Sequence, residues 1–494
     1  MKRRDFIKRS TAAAAGTALA PGVMAKGAQR KPNLLVIHCD ELNFRTIGAY
    51  RETLAPEQAF MWGPRAVCET PAIDSLAKEG AICTKMYAAT PVCSPSRSSF
   101  ISGQYPQNTP VTTNSISLSD DVVSFADILS KAGYATGYAG KWHLDGEDKP
   151  GWAPERKFGF EDNRYMCNRG HWKQLEDTLD GPRVKARDKK GNPSYGVVGA
   201  DEESYTTDFL TTKTIDFIEE HREEPFCYMV SIPDPHGPDT VRVPYDTMFS
   251  DDDVEKPRTF DKDTDGVPKW AMPEKNCHYK MAQYHGMMKC IDDNVGRIIA
   301  ALREKGILDD TIVVFTADHG DMRGEHGRQN KGVPMEASAK VPFLIRYPGK
   351  IGAGTRIDHV YNTVDFLPTM LSMMGVGTAG REEGRDFSAI FESGQAPEDW
   401  EDVTFMRSTG QAGATKGWFS AVTPRYKLIV SAYDEPWLLD LEEDPDELVN
   451  FVSSPERKAV VKRLSRALRR YAKAHGDPYL EDEKTAADLR SLQG

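Results

Sequence analysis

Leu34-Leu35-Val36-Ile37-His38 is a short apolar run that stops abruptly at Cys39-Asp40-Glu41. A run of this length and composition reads as a strand buried on both faces, because a half-exposed strand would alternate polar and apolar residues. The pattern recurs. Residues 134–139 lead into Gly140-Lys141-Trp142-His143, and residues 226–232 into Pro233-Asp234-Pro235-His236. Ile312-Val313-Val314-Phe315-Thr316 leads into Ala317-Asp318-His319-Gly320. Helical patterns lie between the runs. The clearest has apolar Tyr284, Met288, Ile291, Val295, Ile298 and Leu302 at alternating steps of four and three. Such alternation predicts an α/β fold, a large central and mostly parallel sheet sandwiched by helices. Ligands bind these sheets beyond the carboxyl ends of the strands, so the polar clusters should converge on one site.

Outward from these runs, residues 145–205 and 239–278 read as polar, turn-rich insertions. After Gly375 the character changes. Residues 426–430 and 437–441 read as hairpin strands, and a helix follows with apolar Val461, Leu464, Leu468 and Tyr471. Residues 384–494 are therefore read as a smaller C-terminal α+β subdomain with a short antiparallel sheet. At the other end, Arg3-Arg4-Asp5-Phe6-Ile7-Lys8 precedes a weakly apolar, alanine-rich stretch. This fits a twin-arginine export signal over residues 1–25, and predicts a periplasmic or secreted protein carried by the twin-arginine machinery.

The 494 residues are 39% apolar and 28% charged, as in an ordinary globular protein. A net charge of −11 argues against a nucleic-acid partner. It leaves room for an anionic substrate, since a pocket can be positive inside an acidic protein. The eight cysteines show no CxxC clustering, which argues against a zinc site or a redox dithiol.

One cysteine stands apart. Cys93 lies in Thr90-Pro91-Val92-Cys93-Ser94-Pro95-Ser96-Arg97, running into Ser98-Ser99-Phe100-Ile101-Ser102-Gly103. Pro95 predicts a helix that begins just beyond it and places Cys93 near the helix N-terminus, where backbone N–H groups favour an anion. A lone cysteine is usually a buried structural group. Here the flanking serines, proline and arginine weigh against that reading.

The run resembles the C-x-P-S-R signature of the type I, formylglycine-dependent sulfatases of the alkaline phosphatase superfamily. The resemblance extends along the chain in order. Lys31-Pro32-Asn33 and Thr70-Pro71-Ala72-Ile73-Asp74-Ser75-Leu76-Ala77 precede the signature. Gly140-Lys141-Trp142-His143, Pro235-His236 and Asp318-His319-Gly320 follow it, with Lys331 thirteen residues beyond Asp318. Asp440-Leu441-Glu442-Glu443-Asp444-Pro445-Asp446-Glu447 closes it. The resemblance implies an alkaline phosphatase-like catalytic domain over residues 26–383. It also implies that Cys93 is oxidised to formylglycine by a cytoplasmic formylglycine-generating or sulfatase-maturating enzyme.

The resemblance further implies a Ca²⁺ or Mg²⁺ site formed by Asp40, Glu41, Asp318, His319 and the residue made from Cys93. Clustered carboxylates are natural ligands of a hard cation. Two positions depart from the pattern: the family usually has Asp where this chain has Glu41, and imidazole is a poor match for Ca²⁺. Arg97 and Lys141 match residues that hold the formylglycine, and Lys331 matches a sulfate contact. In the implied mechanism a hydroxyl of the hydrated formylglycine attacks sulfur. His236 gives the leaving alcohol its proton, with Lys141 assisting, and His143 then takes a proton from the second hydroxyl. The expected substrate is a sulfated carbohydrate, and Trp152, Trp172 and Trp270 in the insertions are either sugar-stacking faces or packing. The alternatives are a phosphonate or phosphate ester hydrolase of the same superfamily, and a glycan-binding protein without catalysis.

Overall fold

The computed structural model describes residues 31–261, 266–409 and 417–494, so the stretch read as an export signal lies outside the described residues. Its centre is an eight-stranded sheet. In chain order the strands are β1 (Asn33–Asp40), β2 (Ala81–Cys83), β3 (Ala135–Lys141), β4 (Asp162–Cys167), β5 (Phe226–Pro235), β6 (Thr311–Ala317), β7 (Phe343–Arg346) and β8 (Thr355–Ile357). Their spatial order is β8-β2-β7-β6-β1-β5-β3-β4. Only β7 runs antiparallel to its neighbours, so the sheet is mostly parallel, as predicted.

All eight residues of β1 are buried. Leu34 and Val36 join the hydrophobic cluster on one face of the sheet, while Leu35, Ile37 and Cys39 join the cluster on the other. Double-sided burial is the reason for the unbroken apolar run, and each such aliphatic side chain contributes about 1.5–3 kcal/mol. With α2 (Thr206–Glu220) beside it, the helix α3 (Ala282–Glu304) covers one face. Its six predicted core positions, Tyr284 to Leu302, are all fully buried. Four consecutive strands, β6-β1-β5-β3, thus carry the four polar clusters at one edge of the sheet.

Three local expectations change. Residues 145–205 are not wholly an insertion, because Asp162–Cys167 forms the edge strand β4 beside β3. An edge strand has a solvent face, and the polar residues Asp162 and Arg164 on it hide the strand from an apolar-run criterion. The helix after the signature, α1 (Cys93–Ser102), starts at Cys93 itself, with Pro95 inside its first turn. Proline fits there because first-turn N–H groups have no partner within the helix. Finally, the C-terminal sheet has two more strands than the hairpin foreseen: β9 (Thr404–Arg407) and β10 (Phe419–Val422) precede β11 (Tyr426–Val430) and β12 (Trp437–Asp440).

This second sheet lies between α4 (Lys458–Ala474) and the main body. Phe419, Leu428 and Leu438 face Val461, Leu464, Leu468 and Tyr471 of α4. Trp418, Ile429 and Leu439 face Met335, Ala337 and Ala339 of the main body. Lys427 is buried in that contact, 2.7 Å from Glu336 and 2.9 Å from Glu447. The cysteines are all unpaired, and only Cys277 is less than fully buried. Trp172 and Trp270 are buried, 5% and 2% exposed, so both serve packing. Among the described residues no helix is long and apolar enough to cross a membrane.

Candidate active site

The strand ends converge as expected, and the backbone there is unusual. The β1–β5 pairing slips between Cys39 and Asp40. Glu41 and His143, just past two strand ends, have positive φ of 61° and 62°. Positive φ in a non-glycine residue is costly and clusters at functional sites. At Gly140 (φ 97°) a Cβ would lie 1.9 Å from the Ser231 carbonyl oxygen, so only glycine lets β3 approach β5 here.

Cys93, at the first turn of α1, is 2% exposed. Its Sγ lies 3.7 Å from Asp40 Oδ1, 3.2 Å from His319 Nε2 and 3.7 Å from Lys141 Nζ. Burial and Asp40 push its thiol up, but Lys141, Lys331 and His319 outweigh them and bring it down to about 7. Arg97, one turn along α1, ties the floor together. Its Nε donates to Asp318 Oδ2 at 2.9 Å, and its Nη1 donates to the Lys141 carbonyl and to Ser231 Oγ, both at 2.7 Å. Lys141 Nζ donates to Asp40 Oδ2. These cations hold the buried Asp40 carboxyl well below its usual range against the cost of burial.

Asp40, Cys93, Asp318 and His319 form one group whose ligand atoms all lie within 4.8 Å of one another. The His319 Nδ1–Gly320 O contact of 2.9 Å fits an Nδ1–H donor and leaves Nε2 as the ring nitrogen facing Cys93. Two buried carboxylates beside an imidazole suit a divalent cation. Glu41 Oε1 nearby is a buried acceptor without a hydrogen-bond partner among the described residues. The donor chemistry therefore fits the cation that the sequence resemblance implies. Glu41 itself is not in the four-residue group. Its Oε2 instead meets Lys331 Nζ at 2.9 Å and His236 Nε2 at 2.8 Å.

Lys331 Nζ also lies 3.0 Å from His236 Nε2. Burial lowers the proton affinity of His236, but Glu41 and Asp40 outweigh it and raise its pKa. His143 behaves oppositely. Burial, Lys141 and Arg97 push its pKa down, and neither ring nitrogen has a partner among the described residues. Cys93, Lys141, His143, His236 and Lys331 all line one cavity of about 340 Å³.

The same cavity exposes what sequence reasoning missed. His171 stacks on His236, with ring centroids 3.5 Å apart and planes 8° from parallel. Its Nε2 is 2.9 Å from Lys141 Nζ. Asn114, Lys149, Arg169 and Tyr195 also line the wall. None sits at a predicted strand end or in a recognisable motif. A lone histidine or lysine in a polar loop carries no periodic signal, and only the fold brings it to the site.

The sulfatase family model matches residues 32–376, and the model described as N-sulphoglucosamine sulphohydrolase, C-terminal, matches residues 324–474. The ulvan-active sulfatase of Formosa agariphila is 27% identical over 457 residues, covering 91% of this chain and 82% of that protein. The N-acetylglucosamine-6-O-sulfatase of Bacteroides thetaiotaomicron is 25% identical over 530 residues, covering 92% and 89%. The crystal structure of yidJ from Bacteroides fragilis superposes with a TM-score of 0.73 at 25% identity, covering 93% of this chain and 99% of that one. With the family match running through every strand of the central sheet, this chain belongs to the sulfatase family.

Proposed function

We propose that this sulfuric ester hydrolase removes sulfate from a carbohydrate, using a formylglycine made from Cys93 and a divalent cation, Ca²⁺ or Mg²⁺. The observation that carries the reading is the placement of Cys93. It sits at a helix N-terminus, beside Asp40, His319 and Lys141, in a cavity lined by further cations. Carbohydrate is favoured because relatives of similar length are named for ulvan and for N-acetylglucosamine.

Asp40, Asp318, His319 and the residue at 93 would hold the cation. The cation supplies neutralising charge beside the sulfate oxygens, and the hydrated aldehyde supplies an oxygen nucleophile. The rest of the work belongs to the chain's own side chains. Lys141 and Lys331 draw the negative charge that builds on the sulfate oxygens as the S–O bond breaks. His236 Nε2, held by Glu41 and kept protonated by that carboxylate, gives its proton to the departing alcohol. His143, kept neutral by burial and by Lys141 and Arg97, has an unpartnered ring nitrogen to accept a proton in the step that frees sulfate.

Cys93→Ala is expected to abolish sulfate release while the fold persists. Sulfate release retained by that variant would overturn the reading. In active protein the peptide containing residue 93 should be about 18 Da lighter than its thiol form, as oxidation to an aldehyde requires. Preferential turnover of phosphonate or phosphate esters over sulfate esters would select the alternative chemistry. The same proposal places the protein in the periplasm or outside the cell, after modification by a cytoplasmic formylglycine-generating or sulfatase-maturating enzyme. Lys at both Arg3 and Arg4 should then leave the full-length chain in the cytoplasm.

A further inference from the structure

The charges on the cavity floor are matched. Lys141 faces Asp40, Lys331 faces Glu41, and Arg97 faces Asp318. The wall is different. Lys149 and Arg169 line the same cavity, and among the described residues no carboxylate pairs with either. One acid, Glu147, shares the wall and leaves the cations in surplus there.

Local structure fixes the Lys149 ammonium and the backbone turn that carries Arg169. The Lys149 ammonium lies over the rings of Trp172 and Tyr195, at 5.3 and 4.8 Å from their centroids. Cation–π contact of this kind orients a lysine without neutralising it. Arg169 begins the turn Arg169-Gly170-His171-Trp172, which Trp172 Nε1 closes by donating to the Arg169 carbonyl at 3.0 Å. Gly170 has φ 116°, and a Cβ there would sit 2.4 Å from the indole, so the turn tolerates no side chain at that position. Arg169 shares the cavity lining with His143 and Cys93.

We infer that Lys149 and Arg169 form a second anion subsite, and that the preferred substrate carries a carboxylate or a further sulfate ester close to the sulfate being removed. This rests on the sulfatase reading and narrows it to polyanionic carbohydrate. A substrate with one sulfate and otherwise only hydroxyls leaves both cations unmatched, whereas Glu147 can accept a sugar hydroxyl. The subsite lies wholly on residues 145–205, so substrate selection and sulfate chemistry occupy different parts of the chain.

Three sulfated oligosaccharides differing only in the neighbouring substituent test this: neutral, uronate-bearing, and carrying a second sulfate. Their dissociation constants are measured on Cys93→Ala protein, which needs no turnover, and their kcat/KM on the unsubstituted enzyme. One doubly anionic substrate should be preferred over the neutral one by about 10–100-fold, the range for charged hydrogen bonds. Which one is preferred identifies the second anion. The ratio should fall to about 1 in the Lys149→Gln/Arg169→Gln double variant and largely survive in Arg169→Lys. A ratio near 1 in unsubstituted protein, or an unchanged ratio in the double variant, overturns the subsite. Sulfate release in that case leaves the sulfatase reading standing. Selective binding without sulfate release from any of the three supports the subsite and overturns the sulfatase reading.

Discussion

Glu41 is held by two partners, Lys331 and His236, so under the proposed mechanism it positions both the sulfate contact and the proton donor. Glu41→Gln keeps the volume and withdraws the charge. We expect kcat/KM to fall about 10–100-fold, the scale of one lost charged hydrogen bond. The Ca²⁺ concentration for half-activation should stay unchanged, because Asp40, Asp318 and His319 gather with Cys93 without Glu41. A tenfold rise in that concentration would place Glu41 among the cation's ligands instead. Asp292 offers a contrast far from the site. It accepts a hydrogen bond from the Ile73 backbone N–H at 2.9 Å, and burial pushes its carboxyl up to about 6. The unfolded chain loses that proton near pH 4, at the ordinary carboxylate pKa of about 3.9. Asp292 therefore contributes stability below about pH 4, and that contribution is lost as pH rises through about 6. Asp292→Asn, which keeps an acceptor for Ile73, should raise Tm more at pH 8 than at pH 4.5. An equal change at both pH values would contradict this assignment.

The contact between the C-terminal sheet and the main body depends on Lys427 of β11. It is buried with Glu336 and Glu447 and also donates to the Pro334 carbonyl at 2.8 Å. Lys427→Met strips a buried ion pair of one partner, a change that typically costs about 3–5 kcal/mol. Urea denaturation should show that loss. A change below about 1 kcal/mol would mean that the apolar contact alone holds the sheet. Elements differed in how plainly the sequence announced them. β1, β5 and β6 are buried on both faces and so appear as unbroken apolar runs, and α3 shows its core stripe from Tyr284 to Leu302. β4, at the sheet edge, alternates around Asp162 and Arg164, and β9 and β10 are only four residues each. The cavity floor was legible because it lies at the ends of the visible strands. The wall was not. Lys149, Arg169, His171 and Tyr195 come from polar segments on either side of β4, placed by the packing of Trp172 and by Gly170, which no periodicity records.

For the molecule as a whole, the cation is expected to link activity to stability. The four residues proposed to hold it come from the ends of β1 and β6 and from α1, so its binding reports on the centre of the sheet. A ligand at about 100 times its dissociation constant adds about 2.7 kcal/mol to the folded state. For 494 residues, at about 2.1 cal/mol/K of unfolding entropy each, that corresponds to roughly 3 °C in Tm. Chelation should lower Tm by that amount and stop sulfate release, with both restored by Ca²⁺; unchanged Tm and activity would argue against a bound cation. The unpaired cysteines carry a separate consequence. Burial holds Cys68, Cys83 and Cys167 up at about 12, and Cys39, Cys227, Cys277 and Cys290 are also raised, while Cys93 alone is brought down to about 7. Alkylation follows the thiolate, so a small reagent at neutral pH should mark the native chain at Cys93 first. Under the proposed modification, only molecules that escaped conversion would still hold that thiol. The residual thiol would then gauge maturation, and the alkylated fraction of a preparation should rise in proportion as its specific activity falls.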